Sequence, residues 1–102
     1  MVLILALSPP YYLSYSELFK LFVPRAVALY LASSGVYATV RGNPLEGLVS
    51  ELAKRDKVKV SWEDLSARGL KVDDLIEGVK IPRDFYGDFV ERALRVKNVL
   101  VL

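Results

Sequence analysis

Val2-Leu3-Ile4-Leu5-Ala6-Leu7, closed by Ser8-Pro9-Pro10, is the stretch whose reading decides the fold. A run of six apolar residues is too short to span a membrane, and no basic leader precedes it. It reads as a strand buried on both faces, which is how strands behave in a parallel sheet with helices packed above and below. Residues 26–32 (AVALYLA) repeat the pattern and end at Ser33-Ser34-Gly35. Two such runs separated by a helical segment predict a β-α-β unit.

Outward from these runs, the chain alternates helix and strand. Ser14-Tyr15-Ser16-Glu17 has the spacing of a capping box. Leu18, Leu21 and Phe22 then predict an inward helix face that Pro24 ends. Residues 36–40 predict a short apolar turn or helix. Asn43-Pro44-Leu45-Glu46 starts the next helix, with Leu45, Leu48, Val49 and Leu52 inward. KVKV at 57–60 alternates as a short strand near a sheet edge. Ser61 caps a helix expected to stop at Gly69, Gly78 closes a further turn, and 79–81 reads as a fourth strand. Asp84 caps a last helix with Phe85, Phe89, Ala93 and Leu94 inward, although Gly87 inside it costs about 1 kcal/mol relative to Ala. Residues 99–102 form a terminal strand. The expected fold is α/β: one domain over residues 1–102, a small open and mostly parallel sheet of about five strands with helices on both faces, in flavodoxin-like layering.

Composition narrows the chemistry. The 102 residues contain neither Cys nor His, which removes thiolate nucleophiles, persulfide carriage, Ser-His-Asp triads and the usual zinc sites. No cofactor is expected. Fourteen basic and twelve acidic residues, dispersed along the chain, give a net charge of +2, so nucleic-acid binding gains no support. The absence of Gln and the scarcity of Asn fit a thermophilic composition. A cytoplasmic protein without membrane attachment is expected.

Three stretches together resemble the DsrE/DsrF/DsrH-like family, and within it the DsrH/TusB branch that lacks the relay cysteine. Ser34-Gly35-Val36-Tyr37-Ala38 is similar to the family's "DGVYA" segment. Val58-Lys59-Val60 leading to Glu63-Asp64-Leu65-Ser66-Ala67-Arg68-Gly69-Leu70 is similar to its "KVYAL-EDL-ARGL" run. Asp84-Phe85-Tyr86-Gly87-Asp88-Phe89-Val90 is similar to its "DY-FV-L" helix. The resemblance implies a DsrEFH-like fold and homo- or hetero-oligomers, the latter with DsrE/TusD-like and DsrF/TusC-like subunits. It implies a setting in tRNA 2-thiouridine synthesis or sulfur oxidation. The family's relay cysteine stands seven residues before the Arg of the Arg-Gly pair, which here is Ser61. A serine cannot hold a persulfide, so the resemblance implies a scaffold subunit that does no catalysis itself.

Several positions carry two readings. Ser61 is a helix cap or a ligand-contacting position. Arg68 and Gly69 are a functional signature or a helix terminus, with Glu63, Asp64 and Leu65 completing the motif. Ser8, Ser33, Ser34 and Gly35, at strand ends, form a ligand or anion loop or ordinary turns. Tyr37 and Trp62 are expected at one end of the sheet as an oligomer interface. Tyr11, Tyr12 and Tyr15 cluster for packing or contact. The alternative to the scaffold reading is a small-ligand or anion sensor. An enzyme using Ser61, Tyr37 or Arg83 lacks a base to activate the serine.

Overall fold

The computed structural model describes residues 2–10 and 13–102, the side chains of 13–15 excluded. The cap expected at Ser14 and the tyrosine cluster rest on side chains outside those described, and the helix backbone already begins at Leu13, one residue before Ser14. The apolar runs form β1 (Val2–Ala6) and β2 (Ala26–Leu31), paired in parallel, and β3 (Val58–Val60) and β4 (Val99–Val101) flank them in the order β3-β2-β1-β4. All pairings are parallel.

The sheet has four strands where about five were expected. Residues 79–81 touch the sheet at one residue only: Lys80 bridges Lys59, its N–H donating to Val58 O at 3.0 Å and its C=O accepting from Val60 N–H at 2.9 Å. Gly78, at φ +95°, and Pro82 bracket the segment and leave it too short to run along β3.

Alternation along the strands sorts two cores. Ile4, Ala6, Leu29, Leu31, Val58 and Val60 face α1 (Leu13–Phe22), α2 (Glu46–Ala53) and α3 (Trp62–Ala67), where Phe19, Val49 and Leu65 are fully buried. Leu3, Ala28, Tyr30 and Ala32 face α4 (Phe85–Ala93) through Phe85, Phe89 and Ala93. Helices thus cover both faces. Each fully buried leucine contributes roughly 1.5–3 kcal/mol relative to exposure.

Two inward faces differ from expectation. In α1, Phe19 is buried while Leu18 and Leu21 are exposed, because five of the residues from 18 to 23 are apolar and periodicity alone does not phase them. Leu94 is 83 % exposed, since α4 ends at Ala93 and the next position turns away from the sheet. Gly87 gains a reason: a Cβ there would lie 2.1 Å from Asp84 Oδ2, and the Asp84 carboxylate caps α4 by accepting from Gly87 N–H at 3.1 Å.

Candidate functional site

A parallel sheet presents its candidate site beyond the carboxyl ends of its strands. Here the chain after β2 enters a 3-10 turn over Ser33–Thr39, and the chain after β3 enters α3. Ser61 is only 4 % exposed, and its N–H donates to Leu31 O at 3.0 Å, so the residue prolongs the β2-β3 pairing by one step. Its hydroxyl accepts from Asp64 N–H at 3.4 Å, a long N-cap bond. Ser61 is therefore a structural cap in this fold, and no His or Cys exists to activate it.

Asp64 links the expected residues. Its carboxylate accepts from Ser33 N–H at 2.8 Å and lies 3.8 Å from the Arg68 guanidinium, which also donates to Asp64 O at 3.1 Å. Ser33 adopts φ +51°, in the left-handed region that few non-glycine residues occupy. The donor offered by the 33–35 loop is thus taken by the protein's own carboxylate. Gly35 has a packing role: its N–H donates to Ala32 O, and a Cβ would meet Ala6 O at 2.1 Å. Ser34 is half-buried beside it.

The structure brings Ser33, Ser61, Asp64 and Arg68 into one network and leaves Ser8 out. The Ser8 hydroxyl donates to Leu102 O at 2.9 Å, past β4. Gly69, at φ +71°, ends α3 in the left-handed region as a helix-closing glycine does, and Leu65 is fully buried. Glu63 is exposed on α3. Trp62 is 46 % exposed at the start of α3, and Tyr37 is half-buried in the 3-10 turn that packs against that helix. The two aromatics occupy adjoining elements.

One buried polar pair was not singled out from the sequence. Tyr30 is fully buried, edge-on to Phe85 and Phe89 at centroid distances of 5.6 and 5.3 Å, and its hydroxyl donates to Asp88 Oδ1. Burial first, then the Asp88 carboxylate, push the phenol up to about 12. It therefore stays protonated at neutral pH, held as a donor. The only signal was a Tyr at an inward position of an otherwise aliphatic strand, which needs a partner for its hydroxyl. Among the described residues, no cluster of three metal-ligating side chains occurs, and no helix is long and apolar enough to cross a membrane.

The sequence profile of the family described as DsrH like protein matches residues 8–99. No curated protein matches the chain. Among solved structures, the ychN protein from E. coli has a TM-score of 0.81 at 22 % identity, covering 99 % of this chain and 97 % of its own. A protein of unknown function from Methanobacterium thermoautotrophicum has a TM-score of 0.64 at 24 % identity, covering 99 % and 98 %. At such identities the likeness establishes a shared fold.

Proposed function

The chain belongs to the DsrH-like family, and from that premise we propose that it is a non-catalytic subunit of a sulfur-relay complex, assembled with cysteine-bearing DsrE/TusD-like and DsrF/TusC-like partners. The observation that carries this reading is the state of Ser61. The residue that the resemblance places at the family's relay-cysteine position is a buried serine that caps α3, and the chain holds no thiol anywhere. Sulfur transfer through a persulfide needs a thiolate, so the sulfur must travel on another subunit. An anion at the 33–35 loop would have to displace the Asp64 carboxylate, and no observation favours the sensor reading over the scaffold one.

Co-expression with DsrE-like and DsrF-like proteins from the same genome tests the proposal. The expected result is a stoichiometric complex on size exclusion, with desulfurase-delivered radiolabelled sulfur on the partner's cysteine and none on this chain. Failure to form any complex with either partner would overturn the scaffold role, and stable label on this chain would overturn its non-catalytic part.

A further inference from the structure

Beyond that reading, and whether or not the chain serves sulfur transfer, we propose that the amino-end face of the sheet, carrying Arg25, Arg55 and Lys97, docks the phosphate backbone of a nucleic acid without regard to base sequence. The basic residues are dispersed along the chain, but the parallel topology brings several of them to one face. Every strand runs the same way, so all of them begin at the same end of the sheet. Arg25 directly precedes β2, Lys97 stands just before β4, and Arg55 lies in the turn that enters β3. Register brings Arg25 and Lys97 level, because Val2 pairs with Ala26 and Leu3 with Val99.

Two surface cavities join these positions into a row. One, of about 180 Å³, lies between Pro24, Glu51 and Arg55, and the other, of about 240 Å³, lies between Val2, Arg25 and Asn98. Arg55 thus adjoins the Pro24-Arg25 corner on one side, and Asn98, next to Lys97, adjoins it on the other. The outer strands of the order β3-β2-β1-β4 stand three spacings apart, so the row spans about 14 Å. Arg25, Arg55 and Lys97 are exposed, and among the described residues none of them makes an ion pair. Lys54 and Arg95 flank the row, their charges offset by Glu51 and Glu91.

The opposite end of the sheet has the opposite sign. Glu46, Glu63 and Asp64 occupy the first turns of α2 and α3, Asp84 caps α4, and Arg68 is paired with Asp64. Helix dipoles favour cations in the last helical turn, yet Arg25, Arg55 and Lys97 lie beyond the ends of α1, α2 and α4 at Phe22, Ala53 and Ala93. A row of unpaired cations selects a partner that repeats the other sign. Ordinary protein surfaces intersperse acidic and basic side chains, whereas each strand of a nucleic acid carries a phosphate about every 3.4 Å of axis. Arginine's planar fork suits phosphate oxygens as well. The exposed aromatic side chains Trp62 and Tyr86 belong to the first turns of α3 and α4, at the other end. Among the described residues the amino-end face therefore offers no exposed aromatic for base stacking, and its contacts go to the backbone.

Fluorescence anisotropy with short fluorescein-labelled DNA duplexes of unrelated sequence tests the proposal. At low salt the protein should bind them all with similar affinity, and log K should fall against log salt with a slope of about −3, three phosphate contacts at roughly −0.9 each. Arg25→Gln and Lys97→Gln should each reduce that slope by about one and weaken binding several-fold, with the melting temperature unchanged. Arg83→Gln removes the same charge from an exposed position beside the Asp84 cap, at the far end, and should leave affinity and slope as they are. Absence of binding at low salt overturns the proposal. So does an Arg83→Gln variant weakened as much as Arg25→Gln, which would assign the effect to overall charge. Displacement of the duplex by polyglutamate as readily as by unlabelled DNA also overturns it, in favour of an acidic protein surface.

Discussion

The two edges of this sheet are built on opposite principles. At β3 Lys80 bonds Val58 C=O and Val60 N–H, Lys57 precedes the strand and Lys59 lies within it, and the strand end is tied by Ser61, Asp64, Arg68 and Ser33. At β4 the strand is purely apolar, no strand lies beyond it among the described residues, and its valines are half exposed. The helix over the sheet carries the buried Tyr30–Asp88 bond on one side and exposed Tyr86 and Val90 on the other. A protected edge closes a fold, whereas an unprotected apolar edge is tolerated where another chain covers it. The β3 side accordingly carries more of the fold's interlocking contacts than the β4 side.

Gly78→Ala attacks the closed edge most severely. A Cβ at Gly78 would lie 2.7 Å from Ala53 O, against backbone that cannot swing aside, and its φ of +95° disfavours any side chain. Chemical denaturation should show a loss of about 3 kcal/mol or more, including roughly 1–2 kcal/mol for the left-handed backbone alone. A variant as stable as the parent would mean that the Lys80 bridge does not hold β3.

Asp64→Ala should cost about 1–3 kcal/mol, because it strips Ser33 N–H of its acceptor and Arg68 of its counter-ion. Added sulfate should not restore that stability. Restoration would show that the strand end is an anion site which Asp64 merely fills.

The Tyr30 phenol titrates at about 12 in the folded chain against 10.0 for the unperturbed group. A raised pKa means the native state binds the proton more tightly than the unfolded one. This stabilisation is complete below pH 10 and is lost as pH rises toward 12, by at most about 1.4 kcal/mol per pH unit. Tyr30→Phe should flatten that alkaline loss in pH-dependent melts. An identical loss in both proteins would place its origin elsewhere.

Ser61→Ala should cost about 1 kcal/mol, near the middle of the range for an N-cap. The 3.4 Å bond to Asp64 N–H sits at the weak end of hydrogen-bond geometry. A loss above about 3 kcal/mol would give Ser61 a role larger than capping.

The smallest effects belong to the open side. Leu94→Lys, at a position 83 % exposed, should change the monomer's unfolding free energy by less than about 0.5 kcal/mol. A loss of several kcal/mol would show that this side is already covered within one chain.

Much of the fold was legible locally, for local reasons. Apolar runs closed by Pro-Pro or Ser-Ser-Gly mark β1 and β2 because no polar residue interrupts a strand buried on both faces. Ser61, Asp84 and Gly69 mark helix ends because their side chains, or the lack of one, satisfy end groups a few residues away. The site was only half legible. Ser61 and Ser33 could be named separately, but nothing near Ser33 in sequence shows that a carboxylate thirty-one residues later takes its N–H. The same holds for the pairing of Tyr30 with Asp88, fifty-eight residues apart.

The sequence by itself determined the α/β class, the caps at Ser61 and Asp84 and the exclusion of thiol and imidazole chemistry. Each follows from residue identity and short-range spacing. Only the tertiary structure decided that 79–81 contributes a single bridge instead of a strand, that Leu18, Leu21 and Leu94 face outward, and that β3 is bridged by Lys80 while no strand lies beyond β4 among the described residues. The physical reason is the same in each case. Whether an apolar or hydrogen-bonding group is satisfied depends on which distant segment lies beside it, and strand order, which local pattern does not encode, sets that neighbour.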